Sequence, residues 1–87
     1  MNVLNLIKDS LKKERVIIGY NKSVKALKSN KVEKIIISSN APEKIVEHVK
    51  HLCSVNGKEL LSFDGTNLEL GAVCRKPFGI MVLGIKE

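Results

Sequence analysis

The segment Lys34-Ile35-Ile36-Ile37-Ser38-Ser39-Asn40-Ala41-Pro42 decides how the chain folds. Successive side chains of a strand point to opposite faces, so three isoleucines in a row cannot all look inward on one side. A strand that is apolar at every position is one covered on both faces, as in a sheet sandwiched between helices. Ser39 to Pro42 then reads as a loop. Proline suits the first position of a helix, where its missing N–H costs nothing and its fixed φ is already helical. The segment is therefore a buried strand, a loop and the start of a helix.

Reading outward from it gives the same alternation in both directions. At 100° per residue Ile45, Val46, Val49, Leu52 and Cys53 fall on one stripe, which the following helix turns inward. Asn56-Gly57 is a turn and Glu59 to Phe63 a third strand. In Asp64-Gly65-Thr66-Asn67-Leu68-Glu69 a turn is combined with a capping box. The Thr66 hydroxyl can accept from the Glu69 amide and the Glu69 carboxylate can reach back, so a short fourth helix starts near Asn67. Pro77 and Gly79 end the next segment, and Ile80 to Ile85 is the last and most hydrophobic strand. Upstream, Val16-Ile17-Ile18 is a short buried strand closed by Gly19. A helix from about Asn21 to Ser29 turns Val24 and Leu27 inward and stops at a left-handed Asn30. The first helix, over residues 2 to 13, carries Val3, Leu4, Ile7 and Leu11 on its inner stripe and leaves Leu6 off it. Helices and strands that alternate throughout predict an α/β fold, with one sheet covered by helices on both faces.

Composition bounds what such a fold is for. A chain of 87 residues makes one domain, residues 1–87, since a single core ordinarily takes ~100 to 200 residues. No apolar run approaches the ~20 residues that span a bilayer, which predicts neither membrane anchoring nor export. Cys53 and Cys74 are not needed as a staple by a core of this hydrophobicity, so a reducing cytoplasm is expected. The net charge is +6, and its placement is uneven: residues 1 to 40 hold nine basic and three acidic residues, residues 41 to 87 six of each. A polyanion approached by the N-terminal half is the implied partner, nucleic acid ahead of an acidic membrane.

The loops Gly19 to Lys22, Ser39 to Pro42 and Phe63 to Asn67 each follow a strand and open a helix. Such loops lie side by side at one end of an α/β sheet, where helix N-termini offer free amides and positive dipole ends to an anion. Gly19 permits close backbone approach. Lys22, Lys25 and Lys28 form a basic ridge, which is either a solvated face or an anion contact. The first two oppose the helix dipole, so helix stability does not account for them. Tyr20 and Phe63 flank the rim, as core residues or as platforms for an unpaired base. Asn21, Asn40 and Asn67 suit base edges or caps. Catalytic alternatives are thin. His48, His51 and Cys53 do not converge, because His51 points away from the apolar stripe that holds Cys53, and no phosphate-binding glycine fingerprint follows any strand. Neither an enzyme nor a cofactor is predicted.

Three segments also carry a resemblance: Gly19-Tyr20-Asn21-Lys22-Ser23-Val24-Lys25, the strand ending in Ser39-Asn40-Ala41-Pro42, and Phe63-Asp64-Gly65-Thr66-Asn67-Leu68-Glu69-Leu70-Gly71. In order and spacing they resemble the L-thirty-e family of large-subunit ribosomal proteins of archaea and eukaryotes, over roughly Leu4 to Ile85. The last segment, followed by Cys74-Arg75-Lys76-Pro77-Phe78, is the most specific part. The resemblance implies a three-layer α/β/α sandwich with a four-stranded mixed sheet, in the superfamily that includes the L-seven-Ae kink-turn binders. That superfamily's Gly-x-Asn-Glu-x-x-Lys pattern maps onto Gly19, Asn21, Lys22 and Lys25, with Lys22 where L-seven-Ae relatives carry Glu and Asn21 where the L-thirty-e branch tends to have Lys.

By the resemblance, the start of the second helix enters the RNA at sheared G·A pairs, with Tyr20 and Lys28 beside it. The Asn40 and Pro42 loop and the loop holding Gly65, Thr66, Asn67 and Glu69 flank the RNA, and Phe63 stacks on a splayed base. The implied function is a structural protein of the large ribosomal subunit, cytoplasmic, monomeric when free, binding a kink-turn of ribosomal RNA. The alternatives are a free-standing kink-turn binder of a small ribonucleoprotein or messenger-RNA regulator, and a protein-interaction adaptor, whose acidic relatives contrast with the +6 found here.

Overall fold

The computed structural model describes residues 3–86. In chain order the elements are α1 (Val3–Lys12), β1 (Val16–Ile18), α2 (Tyr20–Lys28), β2 (Val32–Ser38), α3 (Glu43–Asn56), β3 (Glu59–Phe63), α4 (Asn67–Val73) and β4 (Val82–Lys86). The four strands form one sheet in the order β1-β4-β2-β3. β2 and β3 are parallel, while β4 runs antiparallel to both β1 and β2. The sheet is thus mixed, and β1, β2 and β3 all end at the same edge.

The isoleucine run does what the alternation of a strand requires. Ile36 enters one apolar cluster with Ile7, Leu70, Ile80, Leu83 and Ile85, under α1 and α4. Ile35 and Ile37 enter the other with Ala26, Leu27, Val49, Cys53 and Val82, under α2 and α3. All three isoleucines are buried, and each contributes about 1.5–3 kcal/mol through the apolar surface it removes from water. The result is the three-layer sandwich. The α3 stripe packs as predicted, with Ile45, Val46, Val49, Leu52 and Cys53 all in the second cluster.

Several local expectations shift. On α1 the inner stripe is Val3, Leu6, Ile7 and Leu11, with Ser10 buried among them, and Leu4 is exposed. The 3-6-7-10-11 spacing is the ordinary helical stripe, disguised by a serine at its centre. β1 is half-buried rather than buried because it is the sheet's edge and pairs with β4 alone. On α2 the buried residues are Ser23, Ala26 and Leu27, and Val24 is only partly covered. Pro42 stands just outside α3, with ψ 143 in the extended region, so the helix begins at Glu43. β4 begins at Val82 rather than Ile80.

Every helix is followed by a residue in the left-handed region: Glu14 (φ 54), Asn30 (φ 57), Gly57 (φ 66) and Arg75 (φ 59). Asn30 and Gly57 are residue types that accept this conformation readily, whereas Glu14 and Arg75 hold it at a cost of about 1–2 kcal/mol each.

Candidate nucleic-acid interface

The edge where β1, β2 and β3 end is held together by β4. The Gly19 N–H donates to the Val82 carbonyl (3.1 Å) and the Ser38 N–H to the Met81 carbonyl (2.9 Å), so the first two loops are clamped to the entry of the same strand. The third loop is tied to the second. Both the N–H (2.9 Å) and the hydroxyl (2.7 Å) of Ser39 donate to the Gly65 carbonyl. The Asn40 side chain donates to Asn67 Oδ1 (2.8 Å) and accepts from the Asn67 N–H (2.8 Å) and from the Ser38 hydroxyl (3.1 Å). The three loops therefore form one rigid rim.

At α2 the rim is open. Gly19 sits at φ 106, ψ 154, a region populated essentially by glycine alone. A Cβ at Gly19 would meet nothing within 4 Å, so the glycine is required by the backbone and not by a neighbour, and the space before α2 is free. No side chain caps α2 and no acidic residue lies in its first turn. Its amides and positive dipole end remain unneutralised. Asn21, Lys22, Lys25 and Lys28 are exposed along it. Lys22 and Lys25 line an open depression of about 400 Å³ with Ala26, Ser29 and Lys31. Lys31 belongs to the same lining, a neighbour of the ridge that sequence reasoning missed. The left-handed Asn30 reverses the chain, and the Lys31 N–H returns to the Ala26 carbonyl (2.8 Å), placing Lys31 beside the ridge. Lys28 stands off this depression.

At α4 the rim is closed on itself. The Glu69 N–H donates to the Thr66 hydroxyl (3.3 Å), the Thr66 N–H donates to the Glu69 carboxylate (3.5 Å), and Asn40 takes the Asn67 amide. The capping box predicted from sequence is present. Thr66 and Glu69 are thus engaged in the cap, and the Glu69 carboxylate opposes a phosphate.

The aromatics are distributed differently from the expectation. Phe63 is 7 % exposed and packs in the cluster under α1 and α4, and what surface it keeps lines an open cleft of about 590 Å³ with Val3, Leu4, Asp64 and Glu69. Its pairing with Ser38 at the end of β2 puts its side chain on the same face as Ile36, the one covered by α1 and α4. Phe63 is therefore first of all a core residue, and its burial lends no support to the stacking role expected of it. Tyr20 is half-buried against the other cluster, its hydroxyl bonded to His48 Nδ1 and its ring edge-to-face with the imidazole at 5.8 Å and 66°. Phe78 is 53 % exposed. The loop carrying Phe78 is held against the rim by the Ile80 N–H donating to the Asn67 carbonyl (2.9 Å), and a Cβ at Gly71 would run into the Phe78 carbonyl. Pro77 and Gly79 on either side of Phe78 are the sequence signal of such an exposed loop.

Burial raises the thiol pKa of Cys53, and also that of Cys74, where nearby Lys76 pulls weakly the other way. Both thiols are free and neutral at ordinary pH, and neither is a prepared nucleophile. Among the described residues no three His, Cys, Asp or Glu gather to hold a metal, and no helix is long and apolar enough to cross a membrane.

Comparison with known proteins places this rim in context. The model of the Ribosomal protein L7Ae/L30e/S12e/Gadd45 family matches residues 1–87. Large ribosomal subunit protein eL30 of Archaeoglobus fulgidus is 34% identical over 85 residues, covering 98% of this chain and 94% of its own. The protein of the same name from Neurospora crassa is 32% identical over 77 residues, 88% of this chain and 71% of its own. Among solved structures, a Giardia lamblia 15.5kD RNA binding protein matches with TM-score 0.87 at 28% identity, over 98% of this chain and 71% of that one. A Bacillus halodurans protein with unknown function shares the fold, with TM-score 0.86 at 21% identity over 97% of this chain and 83% of its own.

Proposed function

Since the chain belongs to the Ribosomal protein L7Ae/L30e/S12e/Gadd45 family, we propose that it is a structural, non-catalytic protein of the large ribosomal subunit that binds a kink-turn of ribosomal RNA through the rim. The observation that carries this reading is the uncapped, unneutralised start of α2, with Lys22, Lys25 and Lys31 gathered beside it. A kink-turn exposes unstacked bases and crowds phosphates at its bend, and proteins that read RNA sequence target such irregular sites rather than regular A-form grooves.

Each part of the rim then has a role that its geometry suits. The first amides of α2 and the glycine backbone at Gly19 approach the bend, Asn21 meets base edges, and Lys22, Lys25 and Lys31 neutralise phosphates, with Lys28 attracting from farther along the ridge. Asn40, Pro42, Gly65, Thr66, Asn67 and Glu69 hold the second and third loops in register for the RNA. Phe78, rather than Phe63, offers the aromatic face on which an unpaired base stacks. Tyr20 braces α2 against α3 through His48. No cofactor and no chemical step is required. The protein works in the cytoplasm as part of the ribosome and is monomeric when free.

A gel-shift titration tests the reading. A kink-turn hairpin binds far more tightly than a straight duplex of the same length, and comparable affinity for the two would sink it. A second reading, a free-standing kink-turn binder, keeps the RNA binding that the name of the Giardia protein states and drops the ribosome. Sedimentation separates the two, because a ribosomal protein travels with the large subunit in high-salt gradients.

A further inference from the structure

A second group of cations lies on the other side of the molecule. Lys8, Lys12 and Arg75, with Leu11, Val73 and Cys74, line a cleft of about 430 Å³ between the C-terminal half of α1 and the end of α4. α1 and α4 cover the face of the sheet opposite α2 and its basic ridge. α4 starts in the rim and spans about 10 Å at 1.5 Å per residue, so the cleft lies a helix length from the rim and has the sheet between it and α2.

The charges there are uncompensated. Asp9, next to Lys8 in sequence, is bound to Lys13 (3.1 Å), and among the described residues neither Asp9 nor Glu14 pairs with Lys8, Lys12 or Arg75. Helix dipoles account for part of the placement, since Lys12 is in the last turn of α1 and Arg75 follows α4. They do not account for Lys8, which stands one turn before Lys12 on the same helix face, where like charges repel. Arg75 also keeps its charge in a left-handed backbone (φ 59) that glycine would occupy without strain. Three cations lining one cleft together with the apolar Leu11 and Val73 suit an anion that has bulk beside its charge, as a ribose-phosphate chain does.

We propose that this cleft is a second phosphodiester-binding site, through which the protein holds a second RNA segment while the rim holds the first. The proposal rests on the RNA-binding reading above, but it fails separately from it.

The test uses the full chain, a labelled straight RNA duplex and an unlabelled kink-turn hairpin. The expected result is that the triple variant Lys8→Gln/Lys12→Gln/Arg75→Gln loses at least about tenfold in duplex affinity at low salt. Its log K against log salt slope becomes shallower by about two to three, roughly 0.7–0.9 for each lost phosphate contact. Hairpin affinity is unchanged in that variant, whereas Lys22→Gln/Lys25→Gln gives the reverse pattern. With hairpin at saturation, the wild type still takes up the duplex as a ternary complex. Arg75→Gly guards against misfolding as the cause: it raises or preserves the Tm while weakening duplex binding. Three results would each overturn the second site: unchanged duplex affinity in the triple variant, displacement of the duplex by the hairpin, or tighter binding of a polyglutamate peptide than of the duplex, which would mark an acidic protein partner. The rim reading is judged by the hairpin-to-duplex preference of the wild type alone.

Discussion

α2 and α4 begin at the same end of one sheet, after its two outer strands β1 and β3, and have been completed in opposite ways. α4 has a hydroxyl on its third amide, a carboxylate returned to its cap and a neighbouring asparagine on its first amide. α2 has none of these, and a glycine in a conformation closed to other residues stands where a capping side chain would be. A self-satisfied helix start is a structural joint. One left unsatisfied beside lysines, on an open surface, is available to an anion. Treating all three loops as equivalent phosphate receivers, as their common position at helix starts suggests, therefore overstates the α4 side, whose polar groups bind each other.

That difference can be broken by mutation. The largest effect belongs to the α4 side and is structural. Phe63→Ala opens a cavity in the cluster under α1 and α4 and lowers stability by about 3–5 kcal/mol, measured as a shift in urea midpoint. Its counterpart Phe78→Ala leaves the midpoint in place and weakens kink-turn binding by about 1–3 kcal/mol. If Phe63→Ala unfolds normally and loses only RNA binding, the assignment of the two aromatics is reversed.

A smaller effect sharpens the contrast between the caps. Thr66→Ala removes the reciprocal cap of α4 and costs about 1 kcal/mol in thermal or urea unfolding. Its effect on RNA affinity follows that loss of order and leaves the salt slope alone. Lys25→Ala, on the α2 side, does the opposite. Stability stays within about 0.5 kcal/mol, as for other exposed surface positions, while the salt slope of RNA binding falls by about 1. An unchanged slope would remove Lys25 from the phosphate contacts.

Much of this was legible in order along the chain. The isoleucine run had to be buried on two faces, Thr66 and Glu69 had the spacing of a reciprocal cap, and Asn30 had the side chain that tolerates a left-handed stop. All of these depend on residues within about four positions of each other, where backbone geometry alone decides which groups can meet. On α1 the apolar pattern points to Leu4 where Leu6 is the residue that packs inward, because Ser10, buried on the same stripe, does not look apolar in a sequence.

What the sequence by itself determined is the alternation of elements, the cap of α4 and the stop after α2, and the presence of a basic, glycine-opened helix start at one end of a two-sided sheet. What only the tertiary structure decided is which side chains remained free. Asn40 and Asn67 are 27 residues apart and bind each other across two loops. Phe63 is taken into the cluster under α1 and α4, Phe78 is left outside, and Lys8 and Arg75 line one cleft between α1 and the end of α4. The reason is physical: local propensity acts over a turn of helix or a pair of strand residues. Whether a group distant in sequence finds a partner or faces solvent is settled only when the layers pack.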